Sequence, residues 1–148
     1  METQKRLIIT LLIFLSLSLN ATELDQIYKV LKHVETNNRV DAVGDNGKAF
    51  GVVQIHKICV MDINRIYKTD YTHRQAFDET CSREMFMLYI SYGIKRFKRF
   101  RRRSPTEEEI VRMWNGGLYT GYKKKTTLKY YKRYKKFKTL LLKKGVIK

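Results

Sequence analysis

The chain has 148 residues, with 31 Lys or Arg against 14 Asp or Glu and a formal charge of +17, which excludes an acidic, disordered solvating protein. Its 43% hydrophobic content, eight Gly and single Pro predict one folded domain, with no room for a second of ordinary size. Residues 22–94 hold nine bases and ten acids, whereas residues 95–148 hold twenty bases and three acids. The C-terminal third therefore carries the whole excess, and such a face draws polyanions.

Lys5 and Arg6 precede an apolar run from Leu7 to Leu19 that ends at Asn20-Ala21. This is the layout of a secretory signal peptide, and a run of about 13 residues is short for a membrane-spanning helix, which needs about 20. Residues 1–21 are expected to be removed after Ala21. Leu19 is large for its place before the cut, so an uncleaved anchor is the alternative. Both outcomes export the domain at 22–148 to a periplasm, a cell envelope or the exterior, and both argue against nucleic acid as a partner. In an oxidising compartment Cys59 and Cys81 either form a bridge, contributing about 3 kcal/mol, or remain two separate thiols. His33, His56 and His73 have no ligand spacing with them, so no metal is expected.

Leu24, Ile27, Tyr28, Leu31 and Val34 recur at helical spacing and predict a first helix over 23–35, with Thr22 and Asp25 as its cap. The turn cluster Gly44-Asp45-Asn46-Gly47 predicts a small hairpin running on through 50–55, the only strand candidate. Helices are predicted over 56–67 and, from Thr72 with Gln75, over a short following piece. Cys81, Met85, Leu88 and Tyr92 mark a longer helix that continues into the basic segment 95–103. Ser104-Pro105-Thr106 breaks it, and Thr106 with Glu109 opens the next, which Asn115-Gly116-Gly117 ends. A last helix from about Thr127 places Tyr130, Tyr134, Phe137 and Leu141 on one face. The expected fold is mainly α with one small β-hairpin after the first mature helix.

Glu35 follows the last apolar position of the first helix. The negative end of the helix dipole and the apolar neighbours Val34 and Tyr28 both disfavour its ionised form, which suits a general acid. Glu35-Thr36, then Gly51-Val52-Val53-Gln54-Ile55, then Met113-Trp114-Asn115-Gly116-Gly117 together resemble the motifs of the soluble lytic transglycosylases, relatives of goose-type lysozyme. The resemblance spans about residues 24–134 and implies a lysozyme-like helical domain whose catalytic Glu is Glu35. It also implies substrate contacts from Thr36, Gly51, Gln54, Asn115 and Gly116, with no cofactor. The family's Thr-x-x-Tyr pattern is matched at Thr127-Leu128-Lys129-Tyr130, which makes Tyr130 a further substrate-site residue, although it also begins an apolar stripe and reads equally well as core. Trp114 reads as core. The family usually has Ser where this chain has Thr36, and the hydroxyl survives.

The physics of these positions agrees with that implication. Gly51 permits close backbone approach, and the amides of Gln54 and Asn115 can donate and accept to an acetamido group. The implied reaction breaks the MurNAc–GlcNAc β-1,4 linkage of peptidoglycan and closes a 1,6-anhydro ring, so one carboxylate suffices. A hydrolytic muramidase would need a second, for which Asp41, Asp45 and Asp62 are the candidates. The expected partner of this monomer is the peptidoglycan strand, with anionic wall polymers or a membrane surface drawn to residues 95–148. A non-catalytic cationic wall- or membrane-binding protein is the reading from another class.

Overall fold

The structure, a computed structural model, describes residues 21–148; the apolar segment assigned to export lies outside the described residues. Residues 21–36 form α1. Ile27, Val30, Leu31 and Val34 are fully buried there, with Leu24 and Tyr28 almost so. Apolar contacts thus reach well beyond one narrow stripe, and α1 runs through the core. Residue 21 is already helical, ahead of the predicted start at residue 23. The Asp25 carboxylate pairs with Lys29 at 3.0 Å and Arg83 at 2.8 Å.

Left-handed Asn37 and Asn38 end α1. β1 (Val43–Gly44) and β2 (Ala49–Phe50) pair antiparallel around a 3-10 turn at Asp45–Gly47, with Val43 opposite Phe50. The predicted hairpin is present, but its second arm does not continue to Ile55. Gly51 (φ +77°) and Gln54 (φ +59°) take left-handed conformations, and the Gln54 N–H donates to the Gly51 carbonyl at 3.1 Å. That turn sends β3 (Ile55–His56) back along β2, with Phe50 opposite Ile55, so the sheet has three strands in the order β1-β2-β3. Val52 and Val53, which read as strand residues, bury their side chains from the turn.

α2 (Lys57–Tyr67) is followed by a 3-10 helix at His73–Phe77, opened by the expected Thr72–Gln75 capping box. α3 (Glu79–Arg101) buries Ser82, Met85, Phe86, Ile90, Gly93 and Phe97. The stripe is rotated from the predicted one: 82, 86, 90, 93 and 97 follow the 3.6-residue period through the helix centre, while Cys81, Leu88 and Tyr92 lie at its margin. α4 (Glu107–Gly116) starts at the predicted Thr106–Glu109 box. Arg103 forks onto the Glu109 carboxylate at 2.6 and 2.8 Å, bracing the break between α3 and α4. α5 (Thr126–Lys143) closes the core with Tyr134 and Leu141, while Tyr130 and Phe137 pack at its edge. The fold is thus mainly α with a small antiparallel sheet.

Cys59 and Cys81 are both free thiols, which corrects the bridge. Cys59 is buried in α2, near enough to Tyr89 to help raise that phenol's pKa. Cys81 is half-buried in the first turn of α3.

Candidate active site

Glu35 lies in the last turn of α1, partly buried, on an open cleft of ≈ 520 Å³. Gln54 comes to this cleft from the turn before β3, Trp114 and Asn115 from the last turn of α4, and Asp45 and His56 from the hairpin side. Chain segments far apart in sequence therefore converge on one carboxylate.

Three successive residues at the end of α1 are each anchored separately. The Val34 carbonyl accepts from the Arg133 guanidinium. Glu35 Oε1 accepts from the Tyr130 hydroxyl at 2.5 Å. Thr36 Oγ1 donates to the Val52 carbonyl at 2.9 Å and stands 3.3 Å from the Lys32 carbonyl. Burial raises the Glu35 pKa above its ordinary 4.5, and the hydrogen bond from Tyr130, the charge of Arg133 and the Trp114 indole offset part of that rise. Glu35 therefore keeps its proton to higher pH than a free carboxyl does, and the anion left by proton loss has partners already in place. Burial, then the charge and hydrogen bond of Glu35, push the Tyr130 phenol well above 10, so it stays a donor.

The implied substrate residues divide into two groups. Glu35, Gln54 and Asn115 line the cleft, and Tyr130 is bonded to Glu35. Thr36, Gly51 and Gly116 do not line it. Thr36 is buried and its hydroxyl ties α1 to the turn at Val52. Gly51 is buried against the 3-10 helix, where a Cβ would stand 1.8 Å from the Ala76 carbonyl oxygen. Gly116 packs on the loop before α5, where a Cβ would stand 2.7 Å from Gly121 Cα. At both positions packing within the protein itself leaves no room for a Cβ. Gln54 Nε2 donates to the Gly51 carbonyl at 2.9 Å, so the donor side of its amide serves the turn that carries it.

Other residues enter that the motifs did not single out. Arg133 is one lysine-like position in a basic helix, and only the fold brings it to Val34 and Glu35. Trp114, read as core, does pack edge-on to Phe86 and Tyr89, but it also lines the cleft. Of the three candidate second acids only Asp45 lines the cleft, 3.6 Å from His56 Nε2. Asp62 pairs with Arg65 at 3.0 Å, and Asp41 is exposed outside the lining. Buried Arg112 holds the far wall: it bonds Glu108 at 2.7 Å, Thr127 Oγ1 at 3.0 Å and the Lys124 carbonyl at 3.1 Å, fixing α4 to the start of α5. Among the described residues no group of three or more His, Cys, Asp or Glu could hold a metal, and no helix is long and apolar enough to cross a membrane.

No protein-family model matches the sequence, and no curated protein matches it. The arrangement brings together one desolvated acid with a fixed phenol donor, beside amide groups, in a cleft open to an extended ligand.

Proposed function

We propose that the chain is an exported peptidoglycan-cleaving enzyme with a lysozyme-like fold, acting as a lytic transglycosylase on the MurNAc–GlcNAc β-1,4 bond. The observation that carries this is Glu35, with its raised pKa, on an open cleft and bonded to Tyr130. Because Tyr130 occupies Oε1, the transferable proton resides on Oε2. Glu35 donates it to the glycosidic oxygen as the bond to the anomeric carbon breaks. The resulting carboxylate is stabilised by Tyr130, Arg133 and Trp114. It then takes the proton from the muramoyl 6-hydroxyl, whose oxygen bonds the anomeric carbon and closes the 1,6-anhydro ring. Glu35 ends protonated and no water is consumed. Asn115 and the acceptor oxygen of Gln54 suit acetamido recognition on either side of the bond.

A hydrolytic muramidase is the second reading, favoured by Asp45 on the same cleft, where it could activate a water as general base. Digestion of purified peptidoglycan, with the fragments weighed, separates the two. Anhydro-muramoyl ends that vanish in Glu35→Gln are expected. Reducing ends lost in Asp45→Asn would transfer the assignment to the muramidase, and intact wall after prolonged digestion would refute both.

A further inference from the structure

Away from the cleft, α3 and the loop after α4 form a groove in two adjoining hollows of ≈ 300 and 470 Å³ that share Arg96 and Phe100. The Arg96 guanidinium lies over the rings of both Phe100, at 4.7 Å, and Tyr119, at 4.3 Å. Two aromatic faces thus hold the cation in place without a carboxylate. Lys95, Arg99, Arg101 and Lys123 also line these hollows, and among the described residues no acidic side chain does. Phe100 is 63% exposed and Tyr119 48%. An exposed aromatic pair of this kind, set among cations that have no counter-charge among the described residues, suits a ligand with both apolar faces and anionic groups.

The groove begins where the cleft ends. Gly117 lines the cleft and Leu118 and Tyr119 line the groove. On α3, Tyr89 lines the cleft and Tyr92, three residues on and on the same side of the helix, lines the groove. Tyr119 stands close enough to Tyr89 to help raise its pKa. The nearby acid Asp62 is already paired with Arg65.

We propose that this groove extends the cleft and binds the carboxylate-bearing peptide stems of the glycan strand, through Arg96, Arg99 and Lys123, with Phe100 and Tyr119 against the apolar faces of the stem side chains. The inference rests on the reading of the cleft as a peptidoglycan site. It adds that the enzyme distinguishes stem-bearing strands from bare ones. A polymer whose only anionic groups are phosphodiesters lacks the continuity with the cleft that a stem-bearing strand has.

The test uses the full mature chain carrying Glu35→Gln, so that nothing is digested during binding. Its affinity is measured for soluble glycan strands with peptide stems and for the same strands after amidase removal of the stems. Stem-bearing strands should bind about five- to tenfold tighter at low salt, the size expected for a few exposed charge pairs, with the difference shrinking as salt is added. Arg96→Gln with Arg99→Gln should abolish that difference and leave binding of bare strands unchanged, and Phe100→Ala, at a well exposed position, should weaken the stem-bearing strands selectively. Circular dichroism checks that each variant folds. Equal affinity for the two strand types, or equal losses on both, would overturn the inference while leaving the cleft assignment standing. Tighter binding to a phosphodiester wall polymer or to DNA than to stem-bearing strands would also overturn it. Binding to neither strand type, with no cleavage by the unaltered protein, would overturn the cleft assignment itself and this inference with it.

Discussion

Replacing Tyr130 by Phe removes one hydroxyl and keeps the ring that packs at the core edge. The hydroxyl donates to Glu35 Oε1 at 2.5 Å, and it is one of the groups holding the Glu35 pKa below the level that burial alone would set. A hydrogen bond to a charged group contributes about 1.5–3 kcal/mol, and that charge appears on Glu35 only as the proton leaves. The loss therefore falls on the transition state rather than on substrate binding: kcat should drop by about 10- to 150-fold with KM little changed. The pH profile has a required sign. Removing a donor to the carboxylate raises its pKa, so the alkaline limb of kcat/KM, where Glu35 loses the proton it must donate, should move to higher pH in Tyr130→Phe. Release of soluble muropeptides from purified wall, followed across pH, measures both quantities. A kcat within threefold of the unaltered enzyme, or an alkaline limb that stays fixed or moves down, would refute the role given to Tyr130.

Glu35→Gln should end cleavage and raise the melting temperature. The native Glu35 pKa lies above 4.5, so the folded chain holds that proton longer than the unfolded chain does. The stability this carboxyl contributes is full below about 4.5 and is lost as pH rises through the native pKa. The gap in melting temperature between Gln and Glu should widen over that window and then level off; parallel curves would contradict the burial of the acid. Gly51→Ala places a Cβ 1.8 Å from the Ala76 carbonyl oxygen at a left-handed position, and overpacking plus backbone strain should cost about 2–5 kcal/mol in urea unfolding. Thr36→Val keeps the shape but leaves the Val52 carbonyl without its hydroxyl donor, for an expected loss of about 1–3 kcal/mol. Thr36→Ser, which keeps the hydroxyl, should recover most of that.

The helices were legible because their ends carry local chemistry. The Thr72–Gln75 and Thr106–Glu109 boxes and the Gly117 stop each act within a few residues, and a sequence read in short windows contains them. The strand over 50–55 misled for the opposite reason. Phe50, Val52, Val53 and Ile55 make an apolar run, and period alone does not separate a strand from a turn whose side chains all point inward. Gly51 was the available signal, and its meaning depends on the Ala76 carbonyl pressed against it from another element. In the site, Glu35 was marked by its place at a helix end and by the company of Gln54 and Asn115. Arg133 was not, because a single arginine among lysines acquires a role only through its contact with Val34, 99 residues away in sequence. Thr36 sits beside a cleft residue in the chain but turns its hydroxyl inward to the Val52 carbonyl, a distinction of side-chain direction that spacing does not carry.

The anchoring of Glu35 by α5 also fixes when the molecule becomes competent. Tyr130 lies 95 residues after the acid it bonds. A chain emerging from its N-terminus can build α1, the hairpin and α3 while Glu35 still lacks its phenol and its guanidinium. The acid is tuned only once the last helix has arrived, and a product truncated before residue 130 would carry the carboxylate without its partners. On the proposed function, any action on surrounding polymer thus waits until the whole domain is in place.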